Sequence, residues 1–208
     1  MMTSSIIAEQ RVVLSSISWA TYSALSQESD QIRGRITYDQ GVLEIMSPML
    51  SHESAKSLLG RMIERFTEIC GIDLRSSAST TFRREDLQRG FEADESYYIE
   101  HAAAIRGKAE IDLSIDPPPD LVVEIEMTRS SLNKHALFAS MGIPEVWRYD
   151  GRNLSLATLH EDSYTELGES RVLPSFPIRL AEELLAARSE ESETMLIRCF
   201  VQQISDKT

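Results

Sequence analysis

The chain has 208 residues, a formal net charge of −12 at pH 7, 26% charged and 42% hydrophobic residues, and two isolated cysteines, Cys70 and Cys199. This is an ordinary globular composition, most simply one domain over residues 1–208 with a real core; it excludes a disulfide framework, a cysteine-built zinc site and a membrane span of roughly 20 apolar residues. The acidity weighs against tight nucleic-acid binding, which draws on lysine and arginine, and the absence of a signal-peptide pattern in the sequence leads us to expect a cytoplasmic protein.

In chain order, residues 1–10 show no pattern and are expected to be peripheral. Ser18 should cap a short helix over 18–25 that buries Trp19, Tyr22 and Leu25. Residues 33–38 and 42–46 read as a hairpin around Asp39-Gln40-Gly41, with the glycine taking a positive φ, and Pro48 ends it. Ser51 then caps the longest helix, reaching about Cys70 and closed by Gly71. Ala55, Leu58, Leu59, Met62, Ile63, Phe66 and Ile69 recur at helical spacing along it, which packs one face on a sheet. His52 and Glu53 fall in its first turn, and on position alone His52 is a partly exposed cap-region residue. Glu64 faces away from the stripe and reads as solvated.

Residues 77–82 read as a strand leading into RREDLQRG. Its Arg83, Arg84 and Arg89 form the densest basic patch, open to two readings: a phosphate-backbone contact, or a solvated turn ion-paired to Glu85 and Asp86. Residues 97–99 have strand character. Asp94 stands before them, where an aspartate on its own reads as a turn former. Residues 101–116 are a charged passage expected to be loop or short helix.

The stretch 117–149, PPPDLVVEIEMTRSSLNKHALFASMGIPEVWRY, reads as strand, helix, strand. Three prolines force an extended entry to the strand 121–126, where Leu121, Val123 and Ile125 share one face and Val122, Glu124 and Glu126 the other. Two carboxylates on one face repel unless water at a sheet edge, a cation or a metal lies between them. The βαβ pattern argues for a strand covered on both sides, where a glutamate needs a partner or a function. Ser130 or Ser131 is expected to cap the helix, with Leu132, Ala136, Leu137 and Met141 as its apolar stripe and Gly142 and Pro144 as its stop. Lys134 lies in its first turn, an unfavourable place for a cation unless an acid or a substrate phosphate holds it. Asp120 reads as structural, and Phe138 and Trp147 as core. Residues 154–159 and 163–167 should form an antiparallel pair, followed by helices near 180–187 and 195–204.

The run PPDLVVEIEMTRSSLNKHALFASMGIPEVWRYDG, with GRITYDQGVLEIMSPMLSHE upstream, resembles the Uma-type restriction endonuclease family, formerly a domain of unknown function, within the PD-(D/E)XK nuclease superfamily. The resemblance covers about residues 33–159 and leaves 1–10 and 189–208 peripheral. It implies an α/β fold: a restriction-endonuclease-like core with a central mixed β-sheet flanked by helices and an N-terminal β-hairpin extension. It further implies a metal-dependent endonuclease hydrolysing DNA, with Mg2+ or Mn2+ as cofactor and possible homodimers that cut two strands. By the same resemblance Asp94 and Glu124 are catalytic metal ligands, the backbone carbonyl of Ile125 is a third, and His52 lies near the site.

One departure stands out. The superfamily lysine normally follows the glutamate by two residues on the same strand face, where this chain has Glu126. The resemblance moves that role to Lys134, which orients water or offsets charge and leaves Glu126 as an extra ligand or the ion-pair partner of Lys134. The missing strand lysine and the net charge also allow an alternative of a different class, a catalytically weak or inactive nuclease-fold binding or regulatory module.

Overall fold

The computed structural model describes residues 9–28 and 34–206. The stretch 1–8 and the expected strand start at Arg33 lie outside the described residues. The elements run β1 (Gln10–Leu14), α1 (Trp19–Gln27), β2 (Arg35–Asp39), β3 (Val42–Ser47), α2 (Leu50–Cys70), β4 (Arg75–Ser76), β5 (Thr81–Arg84), β6 (Arg89–Glu92), β7 (Glu95–Tyr98) and β8 (Leu121–Ile125). They continue with α3 (Lys134–Ser140), β9 (Glu145–Tyr149), β10 (Leu154–His160), β11 (Ser163–Leu167), α4 (Ile178–Ala187) and α5 (Glu193–Ser205). Two sheets form, ordered β1-β3-β2-β6-β5 and β11-β10-β9-β8-β7-β4.

The second sheet is mixed. β8 and β9 are parallel and joined through α3, while their outer neighbours are antiparallel. Alternation along β8 separates two cores as its sequence requires. Leu121, Val123 and Ile125 join the large cluster built with α2, α4 and α5. Val122 joins the opposite cluster, with Leu137 and Phe138 of α3 and with Phe82 and Phe91 of the first sheet. All five β8 residues are buried, Glu124 among them. Trp147 and Phe138 are core residues, as their surroundings in sequence imply.

The first sheet begins with the expected hairpin. Gln40 (φ 46°) and Gly41 (φ 97°) both take positive φ, so a two-residue turn closes β2 on β3 with Asp39 opposite Val42. Ile36, Tyr38 and Leu43 pack on Tyr22 of α1, whose cap Ser18 accepts from the Thr21 N–H. Trp19 and Leu25 pack only partly buried against this cluster. Gly90 in β6 makes that packing possible, because a Cβ there would lie 1.9 Å from the Tyr22 hydroxyl.

Several expected details shift. The strand expected at 77–82 forms only at its end: residues 77–80 are a turn around Ala78 at φ 42°, between β4 in one sheet and β5 in the other. The run SSASTT supplies side-chain bonds that compete with a ladder: Thr80 Oγ1 donates to the Ser77 carbonyl, and the Ser77 and Ser96 hydroxyls lie 2.7 Å apart. α2 starts at Leu50 with Met49 as a cap lacking a side-chain bond, so Ser51 sits inside the helix. Its far end is as expected, with Gly71 at φ 66°. α3 is capped by Asn133, which accepts from the Ala136 N–H, and not by Ser130 or Ser131. Those serines are drawn away by Glu44, and the buried stripe becomes Leu137, Phe138 and Met141. Residues 101–116 form turns without a helix. Asp120 is structural, accepting from the Ile99 and His101 backbone N–H groups. No helix among the described residues is long and apolar enough to cross a membrane.

Candidate functional site

Asp94 sits between β6 and β7, where the chain leaves the first sheet and enters the second. The register of β7 on β8 pairs Glu95 with Val123, which brings Asp94 alongside Glu124 and Ile125. Its buried carboxylate takes the place of a ladder partner: the Ile125 N–H donates to Oδ2 at 2.8 Å. On Oδ1 it accepts from Arg35 Nε of β2 at 2.5 Å and from His52 Nε2 of α2 at 2.9 Å. Elements from both sheets and the long helix therefore converge on one side chain.

Glu124 projects from β8 on the α3 side of the sheet. Lys134, the first residue of α3, donates its ammonium to Glu124 Oε2. This is the acid that a cation at a helix N-terminus requires. Glu124 Oε1 is buried and has no hydrogen-bond partner among the described residues. A carboxylate oxygen withdrawn from water without a donor is costly and marks a place that suits a cation.

A second ring of charge encloses these groups. His52 is fully buried, with Nδ1 2.6 Å from Glu9 Oε1. Glu9 Oε2 also accepts from Arg11 Nη2, the Thr128 N–H and the Thr128 hydroxyl. Arg11 of β1 reaches Glu44 Oε1 of β3 at 2.7 Å, and Glu44 accepts further from Ser130 and Ser131. Four carboxylates (Asp94, Glu124, Glu9, Glu44) thus alternate with four cationic groups (Arg35, His52, Lys134, Arg11).

The electrostatics follow from this packing. Burial opposes a charged His52, but the hydrogen bonds and charges of Asp94 and Glu9 outweigh it and hold the imidazolium to about pH 9, so both ring nitrogens carry donors at neutral pH. Burial would raise Glu9, yet the bonds from His52 and Thr128 lower it to about 2. Asp94 is likewise kept ionised, its burial offset by His52, Arg35 and Lys134. Burial opposes the Lys134 charge and the Glu124 and Asp94 carboxylates override it, so its pKa is raised. Glu124 is pushed up by burial and by the charges of Asp94 and Glu126 in spite of Lys134.

Beside Glu124 and Lys134 opens a cavity of about 370 Å³, lined also by Glu126, Arg129, His135 and Arg148. Glu126 lies just past β8, accepting from the Ser130 N–H and, at 3.3 Å, from Arg148. It is therefore not the partner of Lys134, because the end of the strand turns its carboxylate to the loop and to β9. Arg129 is exposed at the rim.

The structure brings together Asp94, Glu124, Lys134 and His52, with Ile125 contributing its N–H and Glu126 at the edge. It leaves Arg83, Arg84 and Arg89 elsewhere. Arg89 begins β6, about 17 Å of strand before Asp94, and pairs with Asp39. Arg84 holds Asp86 through two bonds, and Arg83 donates to Ser26. The sequence reading missed Arg35, Glu9, Arg11 and Glu44. Glu44 carried a signal, as a glutamate in mid-strand between Leu43 and Ile45, the same anomaly that singled out Glu124. Glu9 lay in an unpatterned stretch with no such cue.

Among the described residues, no group of three or more His, Cys, Asp or Glu side chains is arranged to hold a metal ion. A two-carboxylate site remains. Asp94 has about four lone-pair positions, of which Arg35, His52 and the Ile125 N–H take three and leave one on Oδ2. Glu124 Oε1 is the second open oxygen. This donor set fits Mg2+, which is bound through one or two carboxylates while keeping several waters, and does not fit a closed structural zinc site.

Residues 19–187 match the sequence profile of the Uma2 family, whose description reads "Putative restriction endonuclease". Among solved structures, the chain is similar to a "putative nuclease belonging to DUF820" from Anabaena variabilis ATCC 29413. The two are 16% identical with a TM-score of 0.47, over 84% of this chain and 98% of that one. No functionally curated protein matches the chain.

Proposed function

Since this chain belongs to the Uma2 family, whose description is "Putative restriction endonuclease", we propose that its buried centre hydrolyses phosphodiester bonds of DNA with a divalent ion, Mg2+ or Mn2+. The observation that carries this reading is the unpartnered, buried Oε1 of Glu124, set beside Asp94 with Lys134 on its other oxygen. In this reading Glu124 and Asp94 would hold the ion through their open oxygens, with the Ile125 carbonyl as a further oxygen. When bound, the ion would make an attacking water more acidic and stabilise charge on the pentacoordinate phosphorus and its leaving oxygen.

The remaining roles belong to the chain's own groups. Lys134, with its proton held by Glu124 and Asp94, acts as a fixed positive charge and not as a general base. It offsets the phosphoryl oxygens and orients water from the helix side. Arg35 and His52 hold Asp94 ionised through Oδ1, which leaves Oδ2 to the Ile125 N–H and the ion. Arg129 and Arg148 at the cavity rim are placed to meet the flanking phosphates. Arg129, exposed at that rim, fits the task better than Arg84 and Arg89, whose guanidiniums are already engaged by aspartates.

A second reading is favoured by the closure of the centre. Glu124 is only 4% exposed, and the net charge is −12, as suits a nuclease-fold binding module without catalysis. Calorimetry with Mg2+ and Mn2+, together with cleavage of plasmid and single-stranded DNA, separates the two. The expected result is metal binding and cleavage by the wild type, both lost in Glu124→Ala. A folded wild type that binds neither ion, with or without DNA, would overturn the catalytic reading.

A further inference from the structure

Lys134 does not stand on the strand that carries Glu124. It lies ten residues on, across a loop, so something outside β8 must set where it sits. The loop from Met127 to Asn133 is bonded to the N-terminal sheet. Glu44, nearly inaccessible to solvent in the centre of β3, accepts the Ser130 hydroxyl at 2.8 Å on Oε1 and the Ser131 N–H and hydroxyl, both at 3.1 Å, on Oε2. Arg11 of β1 holds the same carboxylate at 2.7 Å and also donates to the Thr128 carbonyl at 2.9 Å. Both Glu44 oxygens are thus occupied, one by each serine, three and four residues before Lys134. Glu44 also faces away from the α1 side of its sheet, where its neighbours Leu43 and Ile45 pack, so no demand of that core calls for a carboxylate here.

We infer that Glu44 is a positioning residue for Lys134: by clamping Ser130 and Ser131 it fixes the start of α3 so that the lysine ammonium rests on Glu124. The N-terminal hairpin thereby supplies the restraint that a strand-borne lysine would obtain from its own backbone. The importance of Lys134 for catalysis rests on the proposed function, but its placement by Glu44 does not.

Nitrogen-15 NMR of the lysine ammonium groups tests this without any need for activity. The chain has four lysines, Lys56, Lys108, Lys134 and Lys207, and Lys134→Arg assigns the signal of interest. In the wild type the Lys134 ammonium is expected to exchange slowly with solvent. In Glu44→Ala it should exchange at least about tenfold faster, the effect of losing one or two net hydrogen bonds from the loop, with Lys56 unchanged. The paired variant Ser130→Ala/Ser131→Ala leaves Glu44 on Arg11 and should move Lys134 the same way, which keeps the test open if Glu44→Ala does not fold. Unchanged Lys134 exchange in a folded variant of either kind would overturn the inference. So would a wild-type Lys134 that exchanges freely. Slow wild-type exchange lost on either substitution, in a protein that cuts no DNA, would sustain the inference and count only against the nuclease reading.

Discussion

Each ionised side chain in the centre is tolerable only because of its neighbour. Lys134→Met would leave Glu124 buried with one bare oxygen already and its hydrogen-bonded cation gone. Breaking a buried pair from one side typically costs about 3–5 kcal/mol. Urea unfolding of this variant at pH 7 should show a loss of that order, partly regained in acid as Glu124 takes up a proton. A loss under about 1 kcal/mol would mean that the pair is solvated. The contrast between Asp94 and Glu124 was half legible in the sequence. Glu124 announced itself as a charge on a strand of valine and isoleucine, whereas Asp94 looked like any turn aspartate and was found only through the family resemblance. Glu9 and Arg11 could not be found that way, because their partners Thr128 and Glu44 are fixed by three-dimensional packing across more than thirty positions.

At the scale of elements, periodicity was a sound guide where an element packs on one broad face. α2 and the two faces of β8 are of this kind, since their apolar spacing reflects a single neighbour on each side. It failed where a polar side chain had two competing uses. Ser130 and Ser131 have the right chemistry for a helix cap, yet the Glu44 carboxylate takes them and Asn133 caps instead. The 77–82 segment failed for the same reason, its polar side chains bonding locally into a turn that leaves only the segment's end in a strand. Gly90 tests how closely α1 is seated on its sheet. Gly90→Ala places a methyl 1.9 Å from the Tyr22 hydroxyl, and overpacking of this kind costs about 1–3 kcal/mol. The thermal midpoint should fall accordingly, and Tyr22→Phe in the same chain, which removes the nearest atom, should restore part of it. No change in the midpoint would mean that α1 docks more loosely than described.

For the molecule as a whole, the charge cluster predicts how stability varies with pH. His52 is held at about 9 in the folded chain against an ordinary 6.5. Its contribution is therefore complete below about pH 6.5 and is lost as pH rises through about 9. Glu9 is held at about 2 against 4.5, so its contribution is complete above about pH 4.5 and is lost as pH falls towards 2. Both are present together between about pH 4.5 and 6.5. The His52 shift corresponds to roughly 3 kcal/mol. Urea titrations from pH 4 to 10 should show an alkaline decline in the wild type that is much flatter in His52→Gln. An equally steep decline in that variant would assign it to other groups. Sheet order was not legible at this scale: the hairpin was expected as an appendage, and it proves to be part of a five-stranded sheet whose polar face closes over the centre.

The bond from Glu9 to Thr128 spans 119 positions of the chain. At a synthesis rate of about 5–20 residues per second, Glu9, which receives His52 and Arg11, is made roughly 6–24 s before Thr128. During that interval Asp94 has no Ile125 N–H and the loop that carries Lys134 does not yet exist. Whatever chemistry the centre performs is therefore a property of the closed chain alone. A growing polypeptide beside its own messenger holds only disconnected fragments of the site, which closes only once its first described residues have met its middle.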